Sequence, residues 1–71
     1  MPEKTYKILE MVGVSDGSLD GAVRNAITKA SRTLHNIDWF EVSHVRGAVH
    51  QGKIEFQVEV RIGFGLEGAP V

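Results

Sequence analysis

The order of hydrophobic and polar positions along the chain predicts one helix and three strands. Residues 4–14 alternate polar and apolar side chains and then become almost wholly apolar, which is typical of a strand. Across residues 19–34 the apolar positions recur at steps of three and four, which is the period of an amphipathic helix. Residues 38–49 and 53–64 return to strand character, and the second of them alternates with few interruptions.

Small polar residues and glycine mark the boundaries between these elements. Ser18 is the natural N-cap, because its hydroxyl can accept a hydrogen bond from a free amide of the first helical turn. His35 and Asn36 are expected to close the helix, since asparagine tolerates the left-handed backbone that often follows a helix. Gln51 and Gly52 are predicted to form the turn of a hairpin between the last two strands.

The order strand, helix, strand, strand predicts an α+β fold, with residues 1–71 forming a single domain. The first connection runs through the helix, so the helix must lie on one face of a three-stranded antiparallel sheet. The other face of that sheet is left bare. Residues 65–71, which contain glycine and proline, are expected to fray.

The bare face should carry the polar side chains of the last strand, among them Gln57, Glu59 and Arg61. A slip of one residue between the last two strands would move every side chain of the second strand to the opposite face. We prefer the register that sets Glu41 opposite Arg61, because it pairs opposite charges across the strands. In this register Trp39 lies on the same bare face.

Length and composition favour an oligomer in the cytosol. A chain of 71 residues buries only about 60% of the surface that its unfolded form exposes, so a single core is marginal. Cysteine is absent, which excludes disulfides and thiolate metal sites and leaves oligomerisation as the expected source of stability. The net charge of −1 gives no electrostatic reason to bind nucleic acid or an anionic membrane. No apolar run suits a signal peptide or a membrane span.

No arrangement of residues indicates catalysis or metal binding. Gly63, Gly65 and Gly68 match the dinucleotide-binding string, but that mechanism needs a helix and a further strand for which no residues remain. The three histidines share no face at the spacing that metal ligands require. No serine or carboxylate pair has a marked setting for acid, base or nucleophilic chemistry. We therefore predict a protein without enzymatic activity and without a metal.

Trp39 is the residue with the least ordinary setting. A single tryptophan in a small domain usually fills the core, but here the neighbouring Phe40 can serve the core instead. A large aromatic side chain on a bare sheet face implies a partner, which is either another subunit or a flat ligand that stacks on the indole. The spacing of residues alone leaves both alternatives open.

Several short strings resemble those of the dodecins. They are Trp-Phe-Glu-Val at 39–42, Val-Arg-Gly at 45–47, Phe-Gln-Val at 56–58 and Ile-Gly-Phe at 62–64. The helix pattern and the opening Tyr-Lys-Ile-Leu-Glu-Met-Val-Gly are also similar, so that the resemblance covers nearly the whole chain.

The resemblance implies a flavin-binding protein. Dodecins are small proteins with strand–helix–strand–strand protomers, assembled as hollow homododecamers with paired flavins between symmetry-related subunits. Trp39 matches the tryptophan that stacks on the flavin, which could be FMN, riboflavin or FAD. Gln57 matches the glutamine that forms hydrogen bonds with the polar edge of the flavin ring. The implied function is flavin storage, sequestration and photoprotection without turnover of a substrate.

The chain departs from the family pattern at two places. The segment between Gly47 and Gln57 is one residue shorter than in many members, so the hairpin tip or the register of the last two strands is expected to differ from theirs. Gly65 stands where many members carry a basic residue, so no coenzyme A or phosphate contact is carried over to it. Glu41 and Arg46 match the family strand, and we interpret them as interface or ion-pair residues rather than flavin contacts.

Two other functions remain as alternatives. In the first, the protein is a ligand-free oligomeric structural or interaction module, and Trp39 only packs at a subunit interface. In the second, it is a flavoenzyme, which would need a second substrate pocket and an acid or base for which the sequence offers no convincing residue.

Overall fold

The structure, a computed structural model, describes residues 4–66 and confirms the predicted order of elements. The elements are β1 (Tyr6–Ser15), α1 (Leu19–Ala30), β2 (Ile37–His50) and β3 (Lys53–Gly65). The strand ends lie within two residues of the predicted ones, and β3 begins at Lys53 as predicted. The fraying expected of the tail concerns mainly residues 67–71, which lie outside the described residues.

The three strands form one antiparallel sheet in which β3 is central. The strand order is β1-β3-β2, and β3 runs antiparallel to both neighbours. The strands β1 and β2 are therefore parallel edge strands, and α1 connects them by crossing one face of the sheet. The hairpin between β2 and β3 turns at Gln51 and Gly52 as predicted, with φ of 51° and 77°. Positive φ at both central residues is the geometry of the two-residue hairpin turn.

The core lies between α1 and the central strand. The helix contributes three small buried residues and β3 contributes three larger ones: Ala22, Ala26, Ala30, Val58, Val60, Ile62. Burying each valine or isoleucine side chain stabilises the fold by about 1.5–3 kcal/mol. The helix also packs closely over Gly13 of β1, where an added Cβ would lie 2.8 Å from the carbonyl carbon of Ala22.

The start of α1 is capped as predicted. The hydroxyl of Ser18 accepts a hydrogen bond from the amide of Gly21 at 2.8 Å, which satisfies one of the free donors of the first turn. Among residues 4–66 no helix is long and apolar enough to span a membrane.

The end of α1 comes earlier than the sequence suggests. The apolar stripe predicts a helix up to Leu34, whereas the structure ends it at Ala30. The Ser31 hydroxyl donates a hydrogen bond to the Ile27 carbonyl at 2.8 Å, and such a side-chain bond competes with the helical backbone. The next amides bond to carbonyls three residues back, and Leu34 is half-buried in this tighter turn.

The expectation that His35 and Asn36 close the helix is therefore wrong, because five residues separate the end of α1 from Asn36. Asn36 nevertheless adopts a left-handed conformation, with φ of 64°. Its carbonyl accepts a hydrogen bond from the amide of Gly65 at 3.0 Å. The residue therefore starts β2 beside the end of β3 instead of capping the helix.

The register between β2 and β3 changes at Ser43. Before this residue Glu41 lies opposite Arg61, which confirms the preferred register. After it Arg46 lies opposite Gln57, and Ser43 is the extra residue of a β-bulge. Because one residue is inserted, the side chains of β2 that share a face change from odd to even positions. Arg46 thereby reaches the same face as Glu41.

The β2–β3 hairpin carries an apolar surface that α1 does not reach. The described part of the protomer measures 54 × 21 × 15 Å, and α1 packs on β1 and β3. Five apolar side chains of the hairpin on the helix side are between 44% and 72% exposed, and we call them the hairpin strip: Phe40, Val42, Val45, Val49, Ile54. So much exposed apolar surface in one strip is typical of an interaction surface.

We predict that Gly13→Ala destabilises the protein. The new methyl group would lie 3.0 Å from the Cβ of Ala26 and closer to the Ala22 carbonyl, so the helix must move away from β1. Overpacking of this kind should lower the free energy of unfolding by about 1–3 kcal/mol relative to the wild type. Urea denaturation measures this difference. Gly17→Ala is the control, since its Cβ meets only the Ser15 hydroxyl at 3.6 Å. Equal urea midpoints for both variants would contradict the close packing of α1 on β1.

Candidate ligand-binding face

The face of the sheet that points away from α1 is the candidate site, and we call it the open face. Its central row comes from β3 and alternates with the buried residues Val58, Val60 and Ile62. The register places residues of β1 on one side of this row and residues of β2 on the other side, all on the same face. Its polar, charged and aromatic members include Tyr6, Glu10, Trp39, Glu41, His44, Arg46, Glu55, Gln57, Glu59, Arg61.

Trp39 lies at one end of the open face, directly opposite Gly63. A Cβ built on Gly63 would overlap ring atoms Cε2 and Cζ2 of the indole and lie 2.7 Å from Cδ2. The indole therefore rests on the backbone of the central strand, a position that only glycine permits. Trp39 is 37% exposed, so a substantial part of the ring remains accessible.

The strand start that carries Trp39 is held by a bond across the sheet. The register skips Asp38, and the Tyr6 hydroxyl of β1 donates a hydrogen bond to the Asp38 carboxylate at 2.8 Å. The bond spans the end of β3 at Gly65, which pairs with Tyr6. Both edge strands are thereby tied together next to the indole.

A second cluster of side chains lies towards the hairpin tip, and we call it the polar ladder. Arg46 donates from Nε to Oε1 of Gln57 at 2.8 Å and from Nη1 to Oε2 of Glu59 at 2.7 Å. Gln57 in turn donates from Nε2 to Oε1 of Glu55 at 3.1 Å. At the other end Nδ1 of His44 lies 3.3 Å from Oε1 of Glu59. The Arg46 side chain thus forms the ion pair that the sequence suggests.

The polar ladder keeps Glu59 ionised. The hydrogen bond from Arg46 is the largest influence and lowers the pKa of Glu59 from its ordinary value, although desolvation acts in the opposite direction. The charge of His44 and the charge of Arg46 lower the pKa further. Glu59 is therefore a pure hydrogen-bond acceptor at neutral pH, and it fixes the guanidinium of Arg46 from one side.

The two predicted site residues share the open face but do not meet within one protomer. Trp39 pairs with Gly63, whereas Gln57 lies six residues away along the same strand. At about 3.3 Å per residue this separation is about 20 Å. A single flat ring system bound to one isolated protomer is therefore too short to contact both Trp39 and Gln57.

Two features of this face were not predicted from the sequence. The first is the position of Gly63 under the indole, although a glycine inside a central strand is a known sign of close approach. The second is the bulge at Ser43, which brings Arg46 to Gln57. The spacing of three between Val42 and Val45 breaks the strand alternation and could have indicated this bulge.

Other candidate sites on the described part of the chain are weak. A shallow depression of about 240 Å³ lies beside β1, lined by Glu10, Met11, Val12 and Glu59. It includes neither Trp39 nor a second aromatic side chain. Within residues 4–66 no group of three or more histidine or carboxylate side chains is placed to hold a metal ion.

The fold is that of a small α+β protein, and its open face carries an accessible indole. The dodecin family model matches residues 5–67. A dodecin from Thermus thermophilus is 42% identical over 65 residues, which cover 90% of this chain and 94% of that protein. The structure of a dodecin from Streptomyces coelicolor superposes with a TM-score of 0.90 at 47% identity, covering 97% of this chain and all of that one. The chain belongs to the dodecin family, as its sequence suggests.

Dodecins are small binding proteins rather than enzymes, and the relatives imply an oligomeric assembly. One more distant structure is that of a calcium dodecin from Mycobacterium tuberculosis, described as calcium chelating with a novel calcium-binding site. It is 24% identical, with a TM-score of 0.82, and covers 94% of this chain and 97% of its own. At this identity the likeness shows the shared fold alone.

We predict that Gly63→Ala displaces the indole of Trp39. Because Trp39 is the single tryptophan of the chain, its fluorescence and near-UV circular dichroism report on this position alone. The variant should show red-shifted emission and a weaker near-UV signal, with far-UV circular dichroism unchanged. Gly47→Ala is the control, because its Cβ makes only an ordinary contact at 3.5 Å. A wild-type tryptophan spectrum in Gly63→Ala would show that the indole does not rest on Gly63.

Proposed function

We propose that this protein binds a flavin on its open face, stores or sequesters it, and suppresses its photochemistry. The observation that carries the proposal is the indole of Trp39, which is supported from below by Gly63 and accessible from outside. Offset stacking of two aromatic rings contributes about 0.5–1.5 kcal/mol beyond the burial of their surface. The electron-rich indole also offers an excited flavin a fast route to its ground state.

Gln57 is proposed to bind the polar edge of the flavin ring. A glutamine amide both donates and accepts hydrogen bonds, which suits the carbonyl and imide groups of that edge. Because Trp39 and Gln57 lie about 20 Å apart on one protomer, a ring that contacts both must lie where two subunits meet. The proposed site is therefore formed across a subunit boundary, in a homododecamer with paired flavins.

The proposed site does not distinguish among FMN, riboflavin and FAD by stacking. These flavins share the three-ring system and differ in the tail that extends from it. Trp39 and Gln57 are assigned to the ring and its polar edge, and Gly65 offers no basic side chain for a phosphate. We therefore expect FMN, riboflavin and FAD to bind with similar affinities, and we expect any difference among them to come from the tail.

The hairpin strip is proposed as one surface through which the subunits associate, with a second copy of the chain as its partner. Its members include Val49, which is 72% exposed, and Val45, which is 55% exposed. A chain of this length gains little stability from its own core, and self-association would bury the strip. The oligomers implied by the relatives support the same conclusion.

The alternative is a ligand-free oligomeric module in which Trp39 packs only against another subunit. The partial exposure of the indole suits this role as well, since a subunit could cover it instead of a ligand. The two functions differ in what the loss of the indole does. A flavin-stacking role affects ligand binding, whereas a packing role affects the assembly.

We predict that flavin-free protein quenches the fluorescence of riboflavin and FMN strongly and saturably. Trp39→Ala should weaken flavin binding at least about tenfold, because it removes the stacking surface of a buried aromatic contact. The oligomer should be unchanged in sedimentation velocity. Val12→Ala, which shortens another exposed apolar side chain of the open face, is the control and should bind as the wild type does.

Unchanged flavin affinity in Trp39→Ala would contradict the stacking role. If the wild type does not quench flavin fluorescence and Trp39→Ala dissociates the oligomer, the packing alternative is correct.

We predict that Val45→Asp dissociates the oligomer. A carboxylate in the hairpin strip would have to be desolvated at the interface. The free energy lost by this desolvation exceeds the free energy that the interface contact provides. Sedimentation velocity should show smaller species than the wild type. Thr28→Asp, which adds the same charge on an exposed position of α1, should leave the assembly intact. Wild-type sedimentation of Val45→Asp would exclude the strip as an interface.

A further inference from the structure

The amide of Gln57 is held from two sides by groups of opposite hydrogen-bonding character. Its Oε1 accepts from Nε of Arg46 at 2.8 Å, and its Nε2 donates to Oε1 of Glu55 at 3.1 Å. We propose that Arg46 and Glu55 are positioning residues that fix which end of this amide faces Arg46 on β2 and which end faces Glu55 on β3. This inference rests on the proposed function, because it assigns the two residues to the ligand-binding role of Gln57.

Only one orientation of the amide satisfies both neighbours. A guanidinium can only donate hydrogen bonds, and a carboxylate can only accept them. If the Gln57 amide turned by half a revolution, its NH₂ group would face the Arg46 guanidinium and its oxygen would face the Glu55 carboxylate. Both contacts would then be repulsive. An unrestrained glutamine has no such preference and presents either end.

Arg46 is itself held by Glu59, and the Glu55 carboxylate lies 4.0 Å from Nε2 of His50. Nη1 of Arg46 donates to Oε2 of Glu59 at 2.7 Å, a charge-assisted bond between two ionised groups. The Arg46 side chain is 47% exposed and that of Glu59 is 30% exposed. Glu55 is half-buried on the same central strand, two residues before Gln57. The bond to Glu59 thus orients the Arg46 guanidinium, and the guanidinium in turn orients the Gln57 amide.

The restrained amide retains one acceptor position on Oε1 and one donor on Nε2, since the oxygen can accept two hydrogen bonds and the nitrogen can donate two. A ligand edge that matches this pair carries a carbonyl next to an N–H group. The class of ligand that fits is therefore a flat heterocycle with an unsubstituted imide or lactam edge. A ring alkylated at that nitrogen should bind more weakly.

The first test observes the amide directly in the flavin-free, full-length protein. The chain contains two glutamines, and Gln51 at the exposed hairpin tip is an internal reference. In an NMR spectrum of side-chain amides, the two protons of Gln57 should be more widely separated and exchange more slowly than those of Gln51. Glu55→Ala should shift the Gln57 signals towards those of Gln51, whereas Glu55→Gln keeps an acceptor and should preserve them.

Gln57 signals that resemble those of Gln51 in the wild-type protein would overturn the inference. The same holds if Glu55→Ala leaves the Gln57 signals unchanged.

The second test measures ligand selection with riboflavin and 3-methylriboflavin, whose imide nitrogen carries no proton. The wild type should bind riboflavin about five- to tenfold more tightly, the ratio expected for one hydrogen bond. Glu55→Ala should lower the ratio, because Arg46 alone then restrains the amide, and Glu55→Gln should restore most of it. Glu10→Ala removes a carboxylate of the same face that lies opposite Arg61, and it should leave the ratio unchanged. If Glu55→Ala prefers riboflavin over 3-methylriboflavin by the same ratio as the wild type, the positioning role is contradicted.

The failure of this inference is distinguishable from the failure of the proposed function. If the wild type binds riboflavin but the Gln57 amide is unrestrained, flavin binding stands and the positioning role is wrong. If the wild type does not bind riboflavin, the proposed function is wrong, and with it the assignment of the two residues to a ligand.

Discussion

A single twelve-residue helix cannot cover a sheet made of such long strands. The helix α1 is about 18 Å long, whereas β2 with 14 residues extends for about 45 Å. The buried core is therefore confined to the region where the alanines of α1 meet β3. The outer part of the hairpin on the helix side and the whole opposite face of the sheet are left without a partner from the same chain. The proposed assembly and the proposed ligand site both use surfaces that stay exposed because α1 is too short to cover them.

The bulge at Ser43 divides the long hairpin between these two surfaces. Without the inserted residue, Val42 and Val45 would point to opposite sides of the sheet, and Arg46 would lie with the apolar residues. With it, both valines join the hairpin strip and Arg46 reaches Gln57 on the open face. One unpaired residue in β2 therefore makes one side of the hairpin apolar and the other side polar, which suits the first to the proposed association and the second to the proposed ligand binding.

The periodicity and the caps of the chain are sufficient to predict the elements, their order and the register that sets Glu41 opposite Arg61. These features depend on local residue patterns and on one favourable charge pair. The end of α1 could not be predicted, because the apolar stripe continues to Leu34 while the hydroxyl of Ser31 favours an earlier end. The polar ladder and the support of the Trp39 indole depend on contacts between strands. They follow from the bulge and from the absence of a Cβ at Gly63, and neither is visible in a hydropathy pattern.

The resemblance to dodecins indicates Trp39 and Gln57 as one site, and the structure separates them by six residues of β3. A site formed between two subunits would bring Trp39 of one subunit to Gln57 of the other. A crystal structure of the protein with riboflavin tests this claim most directly. We expect a flavin ring stacked on the Trp39 indole, with its polar edge hydrogen-bonded to Gln57 of a different subunit. A ring bound within a single subunit, or one bound away from Trp39, would contradict it.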